Sequence, residues 1–233
     1  MSKKVYIIAT IRPWNIKAYR NSISKYPGNW HLITAAKDLT LERIKRFKPR
    51  YIFFPHWSKR VPSSIVNSYE CVCFHETDVP FGRGGSPLQN LIVRGFTNTK
   101  ISALRMTGVL DAGPVYFKRQ LSLRGRAQDI YIRSSKIIAK MIKEIIMQEP
   151  KPVAQQGKAV MFLRRRPDQS KIALKHKTLG KIYDHIRMLD ADEYPKAFIE
   201  QGGLRYEFSH PVMREGALYA RAKITQSKSR RGK

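Results

Sequence analysis

The first 75 residues alternate between short apolar runs and segments with a helical spacing of apolar residues. The apolar runs are rich in β-branched and aromatic side chains, which indicates strands at 4–10, 30–36, 50–55 and 71–74. The intervening segments predict helices at 13–23, 40–47 and 61–69. Strands that alternate with helices form parallel sheets through right-handed crossovers, so the sequence predicts an α/β fold.

The chain beyond residue 86 predicts a different arrangement of elements. A helix at 86–94 is followed by a hairpin-like pair of strands at 101–106 and 115–121 and by a long amphipathic helix at 127–147. A short helix at 179–189 and strands at 205–208 and 217–224 follow. We therefore expect a Rossmann-like open, mostly parallel sheet with helices on both faces, plus a small C-terminal extension. The predicted boundaries are residues 1–150, 151–225 and a flexible basic tail, 226–233.

Charge and cysteine content narrow the class of protein. The formal net charge of +28 favours an anionic ligand, but lysine and arginine are spread over nearly every segment, which disfavours a dedicated nucleic-acid surface. No apolar run approaches the ~20 residues of a membrane span, and the N-terminus is interpreted as a first strand instead of a signal peptide. Two cysteines, Cys71 and Cys73, stand on one predicted strand, so a reducing, cytoplasmic location is expected.

A histidine and an aspartate define the predicted active site. His75 follows a buried strand, and Asp111 lies in the turn Leu-Asp-Ala-Gly-Pro between the two later strands. Ligands of open α/β sheets bind beyond the carboxyl ends of the strands. An imidazole beside a carboxylate can transfer a proton or stabilise an oxyanion, provided that the turn folds back over the His75 loop.

A glycine-rich loop separates His75 from the next helix. Gly84 and Gly85 permit close approach of the backbone to a ligand, and the following helix start adds exposed N–H groups. Arg83 is predicted to grip a phosphate or carboxylate.

These residues together resemble the 10-formyltetrahydrofolate-dependent formyltransferases. The resemblance consists of a strand, His75, a proline-containing loop, the motif R-G-x-x-P at 83–87, a helix and L-D-x-G-P at 110–114. Segments 162–172 and 185–198 resemble the arginine-rich and Y-P-x-A stretches of sugar N-formyltransferases. The similarity covers about residues 50–198 and is greatest to enzymes that formylate nucleotide-linked amino sugars of the pseudaminic-acid type.

The resemblance implies roles for three positions. His75 and Asp111 match the family's catalytic histidine and aspartate, and Cys73 stands where the family has an asparagine that donates to the formyl oxygen. A thiol is a weak donor, so another group is expected to replace the amide. The candidates are a charged His75, the backbone N–H groups of the glycine loop, and the amides of Gln89 and Asn90, of which His75 is preferred.

The resemblance also implies two ligand sites and no metal. The cosubstrate 10-formyltetrahydrofolate is expected at Met106, Thr107, Gly108, Val109, Leu110, Gly84 and Gly85. The acceptor is expected at Arg83, Ser86, Gln89 and Asn90.

The preferred function is N-formylation of a nucleotide-linked amino sugar, such as a CMP-linked nonulosonic acid. Binding to nucleic acid or to a membrane is not expected, and a homodimer is left open. The alternatives are a methionyl-tRNA formyltransferase-like enzyme, a phosphoribosyl substrate, and a catalytically impaired folate- or nucleotide-binding homologue. A nucleic-acid-binding protein is a further alternative, which salt dependence on generic DNA or RNA would reveal. The methionyl-tRNA alternative is second in preference because only about eighty residues follow the catalytic core.

Overall fold

The computed structural model describes residues 3–173 and 178–227. The strands are β1 (Val5–Ala9), β2 (Asn29–Ile33), β3 (Tyr51–Pro55), β4 (Cys71–His75), β5 (Phe81–Gly84), β6 (Asn98–Arg105), β7 (Val115–Ser122), β8 (Val160–Phe162), β9 (Ala197–Gln201), β10 (Leu204–Arg214) and β11 (Ala217–Gln226). The α-helices are α1 (Pro13–Asn21), α2 (Leu41–Phe47), α3 (Ser63–Ser68), α4 (Pro87–Val93), α5 (Ala127–Gln148) and α6 (Leu179–Arg187).

A six-stranded sheet in the order β2-β1-β3-β4-β6-β7 forms the centre of the molecule. The first four strands in this order are parallel, and β6 and β7 are antiparallel to their neighbours. The predicted α/β fold with a mostly parallel sheet is confirmed. Because the chain moves outward from β1 in both directions, the carboxyl ends of β1 and β3 flank a switch in strand order, where open sheets bind ligands.

Both faces of the sheet are covered, which explains the nearly continuous apolar character of β3. Tyr51 and Phe53 join a cluster that includes α5, whereas Ile52 and Phe54 join a second cluster with Ile44 of α2 and Ile65 of α3. Strand side chains alternate between faces, so a strand buried on both sides must be apolar at every position.

A two-stranded parallel sheet, β5 with β8, joins the glycine loop to the chain after α5. The sequence pattern predicts neither strand. A Cβ atom on Gly84, whose φ is +105°, would lie 2.4 Å from the Phe162 carbonyl oxygen, and one on Gly85 would lie 2.5 Å from the Arg164 Cα. The glycines therefore permit close approach of this neighbouring backbone, in the space where the sequence predicts a ligand.

The C-terminal residues form a three-stranded antiparallel sheet in the order β11-β10-β9. Strand β9 is absent from the prediction, and β10 extends well beyond the predicted 205–208. Gln226, which falls in the predicted tail, is the last residue of β11, and Ser227 donates to the Gly203 carbonyl oxygen. The rest of the predicted tail, 228–233, lies outside the described residues. None of the helices within 3–173 and 178–227 has the length and apolar character of a bilayer span.

Glu70, just before β4, links three parts of the fold. Its carboxylate accepts hydrogen bonds from Arg50, at 2.8 Å, and from the Tyr116 hydroxyl. Arg50 also contacts Glu149 at the end of α5. Burial raises the pKa of Glu70, but the hydrogen bonds from Tyr116 and Arg50 lower it by more, so this pKa lies below its ordinary value.

We expect Glu70→Gln to lower the free energy of unfolding at pH 7 by about 1–2 kcal/mol, because a charge-assisted hydrogen bond is lost and solvent partly screens it. The contribution of the charge is complete above the unfolded carboxyl pKa of about 4.3 and is lost as the pH falls through the lower folded pKa. Urea unfolding of mutant and wild type should therefore differ at pH 7 and converge near pH 3. Glu42→Gln, at an exposed helical pair with Arg46, is the control and should change little; a constant difference at both pH values would contradict the assignment.

Candidate active site

His75 is the last residue of β4 and is 7% exposed. Its Nε2 lies 2.7 Å from the Gly82 carbonyl oxygen, which can only accept, so Nε2 carries a proton and donates. The second ring nitrogen, Nδ1, lies 3.6 Å from Oδ2 of Asp111. The structure thus brings together the histidine and the aspartate that the sequence singled out, with Nδ1 as the nitrogen left for a ligand.

Several hydrogen bonds fix the turn that carries Asp111. The residue has a φ of +52°, and its Oδ2 accepts from the Gly84 N–H at 3.0 Å. The Gln155 amide donates to the carbonyl oxygens of Asp111 and Gly113, each at 2.8 Å. Arg83 in turn donates to Oε1 of Gln155 at 2.8 and 3.1 Å. Arg83, predicted to grip an anion, is instead engaged in holding the aspartate turn.

Cys73 precedes His75 by two residues on β4 and lies half-buried beside Asp111. Burial raises the pKa of its thiol well above the ordinary value, and the negative charge of Asp111 raises it further. The side chain is therefore a neutral thiol, which is a weak hydrogen-bond donor.

Two clefts meet at these residues. The larger has a volume of about 590 Å³ and includes His75 in its lining. The smaller has a volume of about 300 Å³. The residues that line both are Phe54, Trp57, Cys73, Leu110 and Asp111. Two ligands can thus approach the same carboxylate from different sides.

The loop predicted to contact folate lines the smaller cleft. Met106, Thr107, Gly108, Val109 and Leu110 all contribute to it. Val109 and Leu110 are 67% and 65% exposed, so apolar side chains stand at its entrance.

The amide groups considered as replacements for the family asparagine already have acceptors. The Gly85 N–H donates to Phe162 at 2.9 Å, and the Gly84 N–H donates to Asp111. The Gln89 side chain donates to the Tyr131 hydroxyl and to the Met188 carbonyl oxygen. The amide nitrogen of Asn90 donates to the carbonyl oxygens of Gly85, Ser86 and Leu163. His75 remains as the candidate donor to a formyl oxygen.

Arginines form one wall of the larger cleft. Arg164, Arg165 and Arg166 follow β8, and Arg12 follows β1. Ser86, predicted to contact the acceptor, lines this cleft and accepts a hydrogen bond from the Arg165 N–H at 3.1 Å.

Sequence reasoning missed the pair formed by His56 and Glu76. His56 follows β3 just as His75 ends β4, and its Nε2 contacts Oε1 of Glu76 in the larger cleft. The signal was available, because a histidine after a buried parallel strand is expected at the same sheet edge. Asp78, also near His75 in sequence, is instead paired with Lys100 and Lys118. Within the described part of the chain, no three His, Cys, Asp or Glu side chains are grouped to hold a metal ion.

An open α/β sheet with an imidazole and a carboxylate between two clefts is a layout that can hold two ligands side by side. The chain is 48% identical to the solved methionyl-tRNA formyltransferase from Clostridium thermocellum over 96% of its own length and all of that chain, with a TM-score of 0.92. The chain belongs to the formyltransferase family and is a formyltransferase.

Other comparisons agree on this fold and family. A family model, the C-terminal domain of methionyl-tRNA formyltransferase, matches residues 167–225. The methionyl-tRNA formyltransferase of Rickettsia prowazekii is 32% identical over 95 residues, which are 40% of this chain and 31% of that protein. HypX from Aquifex aeolicus, solved with tetrahydrofolic acid, shares the fold at 15% identity and a TM-score of 0.75, over 91% of this chain and 38% of that one. The chain spans 31% to 55% of the length of the first curated relatives it matches.

These comparisons correct two predictions. The sugar N-formyltransferase interpretation is wrong, because the 48% identical relative and the family model at 167–225 both carry the methionyl-tRNA name. The expectation that nucleic acid is not a partner fails for the same reason. The objection that the C-terminal extension is too small also fails, since the chain covers all of the solved relative.

We expect Cys73→Asn to raise kcat about tenfold, because it adds an amide donor where the other amides are already bonded. One such donor contributes about 10²–10³ in enzymes from which it was removed. Steady-state formylation rates measure the effect, and Cys73→Ala, which removes the thiol without adding an amide, should give no gain. An unchanged or lower rate for Cys73→Asn would mean that the formyl oxygen is already fully satisfied.

Proposed function

We propose that the protein transfers the formyl group of 10-formyltetrahydrofolate to the amine of methionyl-tRNA. The observation that carries the proposal is the junction of two clefts at Cys73 and Asp111, beside His75. A formyl donor in one cleft and an amine in the other would meet at these side chains. The 48% identical methionyl-tRNA formyltransferase favours this acceptor.

The smaller cleft is the proposed donor site. Its volume of about 300 Å³ and its loop from Met106 to Leu110 suit a flat, partly apolar ring. Tetrahydrofolic acid bound to HypX, a protein of the same fold, supports a folate as the carrier.

The larger cleft is the proposed acceptor site. A tRNA 3′ end presents phosphates next to the aminoacyl amine, and the arginine wall supplies positive charge along the cleft. Arg166 is paired with Asp168 and Arg12 with Glu193, whereas Arg164 has no acidic partner in the described part of the chain. Arg164 is thus the wall residue freest to meet a phosphate. The net charge of +28 fits a polyanionic acceptor.

The chemistry follows from the bonds at His75 and Asp111. The neutral amine attacks the formyl carbon, and an imidazolium His75 donates Nδ1–H to the developing oxyanion, since Nε2 is held by Gly82. Asp111 takes the amine proton and returns it to N10 of tetrahydrofolate as the carbon–nitrogen bond breaks. The products are the formamide and tetrahydrofolate, and both side chains regain their starting protonation.

We propose that the chain divides into a catalytic domain at 1–150, a C-terminal extension at 151–225 and a tail at 226–233. The catalytic domain and the extension share one small sheet. Strand β8 lies in the extension by this division but pairs with β5 of the catalytic part. The extension therefore completes the acceptor cleft through the residues after Phe162.

Formylation of methionyl-tRNA by the purified protein with 10-formyltetrahydrofolate tests the proposal. Tetrahydrofolate release should require charged tRNA, and a panel of nucleotide-linked amino sugars should give none. His75→Ala should lower kcat about 10³-fold while tetrahydrofolate affinity stays within about threefold, because the lost group acts on the oxyanion. His210→Ala, at an exposed site on β10, is the matched control. Turnover that persists in His75→Ala, or that ignores tRNA, would overturn the proposal.

Arg164→Gln should raise the KM for methionyl-tRNA about tenfold with little change in kcat, because it removes a phosphate contact that the ground state and transition state share. The salt dependence of tRNA binding should also weaken by about one counterion. Arg20→Gln on α1 removes the same charge outside the cleft and should leave both quantities unchanged. If the two variants raised the KM for methionyl-tRNA equally, tRNA binding would depend on the net charge of the protein and not on Arg164.

A further inference from the structure

A second carboxylate of the larger cleft has no part in the chemistry assigned to His75 and Asp111. Glu76 directly follows β4, is 5% exposed and lines the cleft. Among the described residues that line it, Glu76 and Asp111 are the two carboxylates. A buried carboxylate is costly unless it is paired or has a charged ligand to bind.

The partner of Glu76 is a neutral histidine. Nδ1 of His56 lies 3.0 Å from the Trp14 indole nitrogen, which can only donate, and 2.9 Å from the Asn15 amide nitrogen. Nδ1 is therefore an acceptor without a proton, so the ring is neutral and its proton is on Nε2. Nε2 contacts Oε1 of Glu76. A neutral His56 thus adds no formal charge beside the carboxylate.

The titratable side chains that face Glu76 from α5 and from the chain after α6 are tyrosines, which carry no positive charge. Tyr131 and Tyr194 face it from these elements, and burial raises the pKa of both phenols. His75 faces it from β4.

An aminoacyl ammonium must lose two protons to become a formamide. One leaves before attack, because only the neutral amine is a nucleophile, and one leaves after the carbon–nitrogen bond forms. Asp111 passes the second proton to N10 of tetrahydrofolate. A carboxylate in the same cleft that is not used in this transfer could take the first proton.

We propose that Glu76, oriented by neutral His56, binds the primary ammonium of the acceptor and accepts its first proton. The inference rests on the proposed function and names the amine subsite within it. The proton passes from Glu76 to solvent, so the group is again a carboxylate while the neutral amine attacks the formyl carbon. His56 is a positioning residue, because it acts through Glu76.

This assignment gives the larger cleft one region of positive charge and one of negative charge, and both suit the same acceptor. Arg164 and its neighbours favour a phosphate, and Glu76 favours an ammonium. A tRNA whose amine is already acylated has no ammonium and loses the second attraction. The cleft would thereby select the charged, unformylated acceptor and release its product.

Glu76→Gln tests the inference, because glutamine keeps the shape and can still accept from His56. We expect kcat/KM for methionyl-tRNA to fall at least tenfold at pH 7, mainly through KM. The loss should shrink by pH 9, because an α-amino group with a pKa of about 7.7–8.0 is then already neutral. Glu76→Asp should recover part of the activity. Tetrahydrofolate affinity should be unchanged in all variants, and Glu42→Gln on α2 is the matched control.

A measurement on the wild type keeps the test independent of mutant folding. Methionine methyl ester, a primary ammonium, should inhibit formylation at least tenfold better than its desamino analogue. Equal inhibition, or a Glu76→Gln enzyme with the wild-type KM and pH profile, would overturn the inference. A wild type that does not formylate methionyl-tRNA would overturn the proposed function instead. Glu76→Gln would then be assayed on the amine that the enzyme does use, where a raised KM would support the inference and an unchanged KM would overturn it.

Discussion

The backbone pairing of β5 with β8 is the contact on which the active site depends. It places the Phe162 carbonyl oxygen against Gly85 and fixes the loop from Gly82 to Gly85. That loop supplies the carbonyl oxygen that holds His75 and the N–H that holds Asp111. The same pairing carries Arg164 to Arg166 to the cleft wall. A side chain at Gly84 would separate the strands and disturb all of these contacts together.

Fixing the loop in this way leaves few free hydrogen-bond donors near the reacting atoms. The Gly84 and Gly85 N–H groups and the side-chain amides of Gln89 and Asn90 are occupied by the fold itself. With a thiol at position 73, the proposed mechanism assigns the donor to the oxyanion to Nδ1 of His75. Asp111 lies 3.6 Å from this nitrogen, so it does not occupy Nδ1 at hydrogen-bond length.

The parts of the fold that depend on local pattern could be predicted from the sequence. Strands β1 to β4 and helix α5 follow from apolar spacing, and their observed bounds differ from the predicted ones by only a few residues. Strands β5 and β8 were missed, since one is rich in glycine, the other has three residues, and their pairing joins distant segments. His75 and Asp111 could be paired through the family resemblance, but residue pattern alone does not place them together. β6 runs antiparallel to β4, so the Asp111 turn must fold back to reach His75.

Other features of the site depend on tertiary contacts that residue types do not report. Nothing in the sequence shows that the Arg83 guanidinium donates to Gln155, or that the Asn90 amide donates to the Gly85 carbonyl oxygen of the loop. His56 and Glu76 are distant in sequence and meet only when β3 and β4 lie side by side. The acceptor was misjudged for a related reason, because short C-terminal motifs were taken as evidence of a sugar site. The wall that faces the acceptor is instead assembled by strand pairing.

The burial of Cys73 has a consequence for how the enzyme tolerates oxidants and electrophiles. Thiolates, not thiols, react with peroxides and alkylating agents, and burial disfavours the thiolate here. The Cys73 sulfur, at the junction of the two clefts, is therefore held mainly as the less reactive thiol. We expect this cysteine to react with peroxides and alkylating agents more slowly than an exposed thiol.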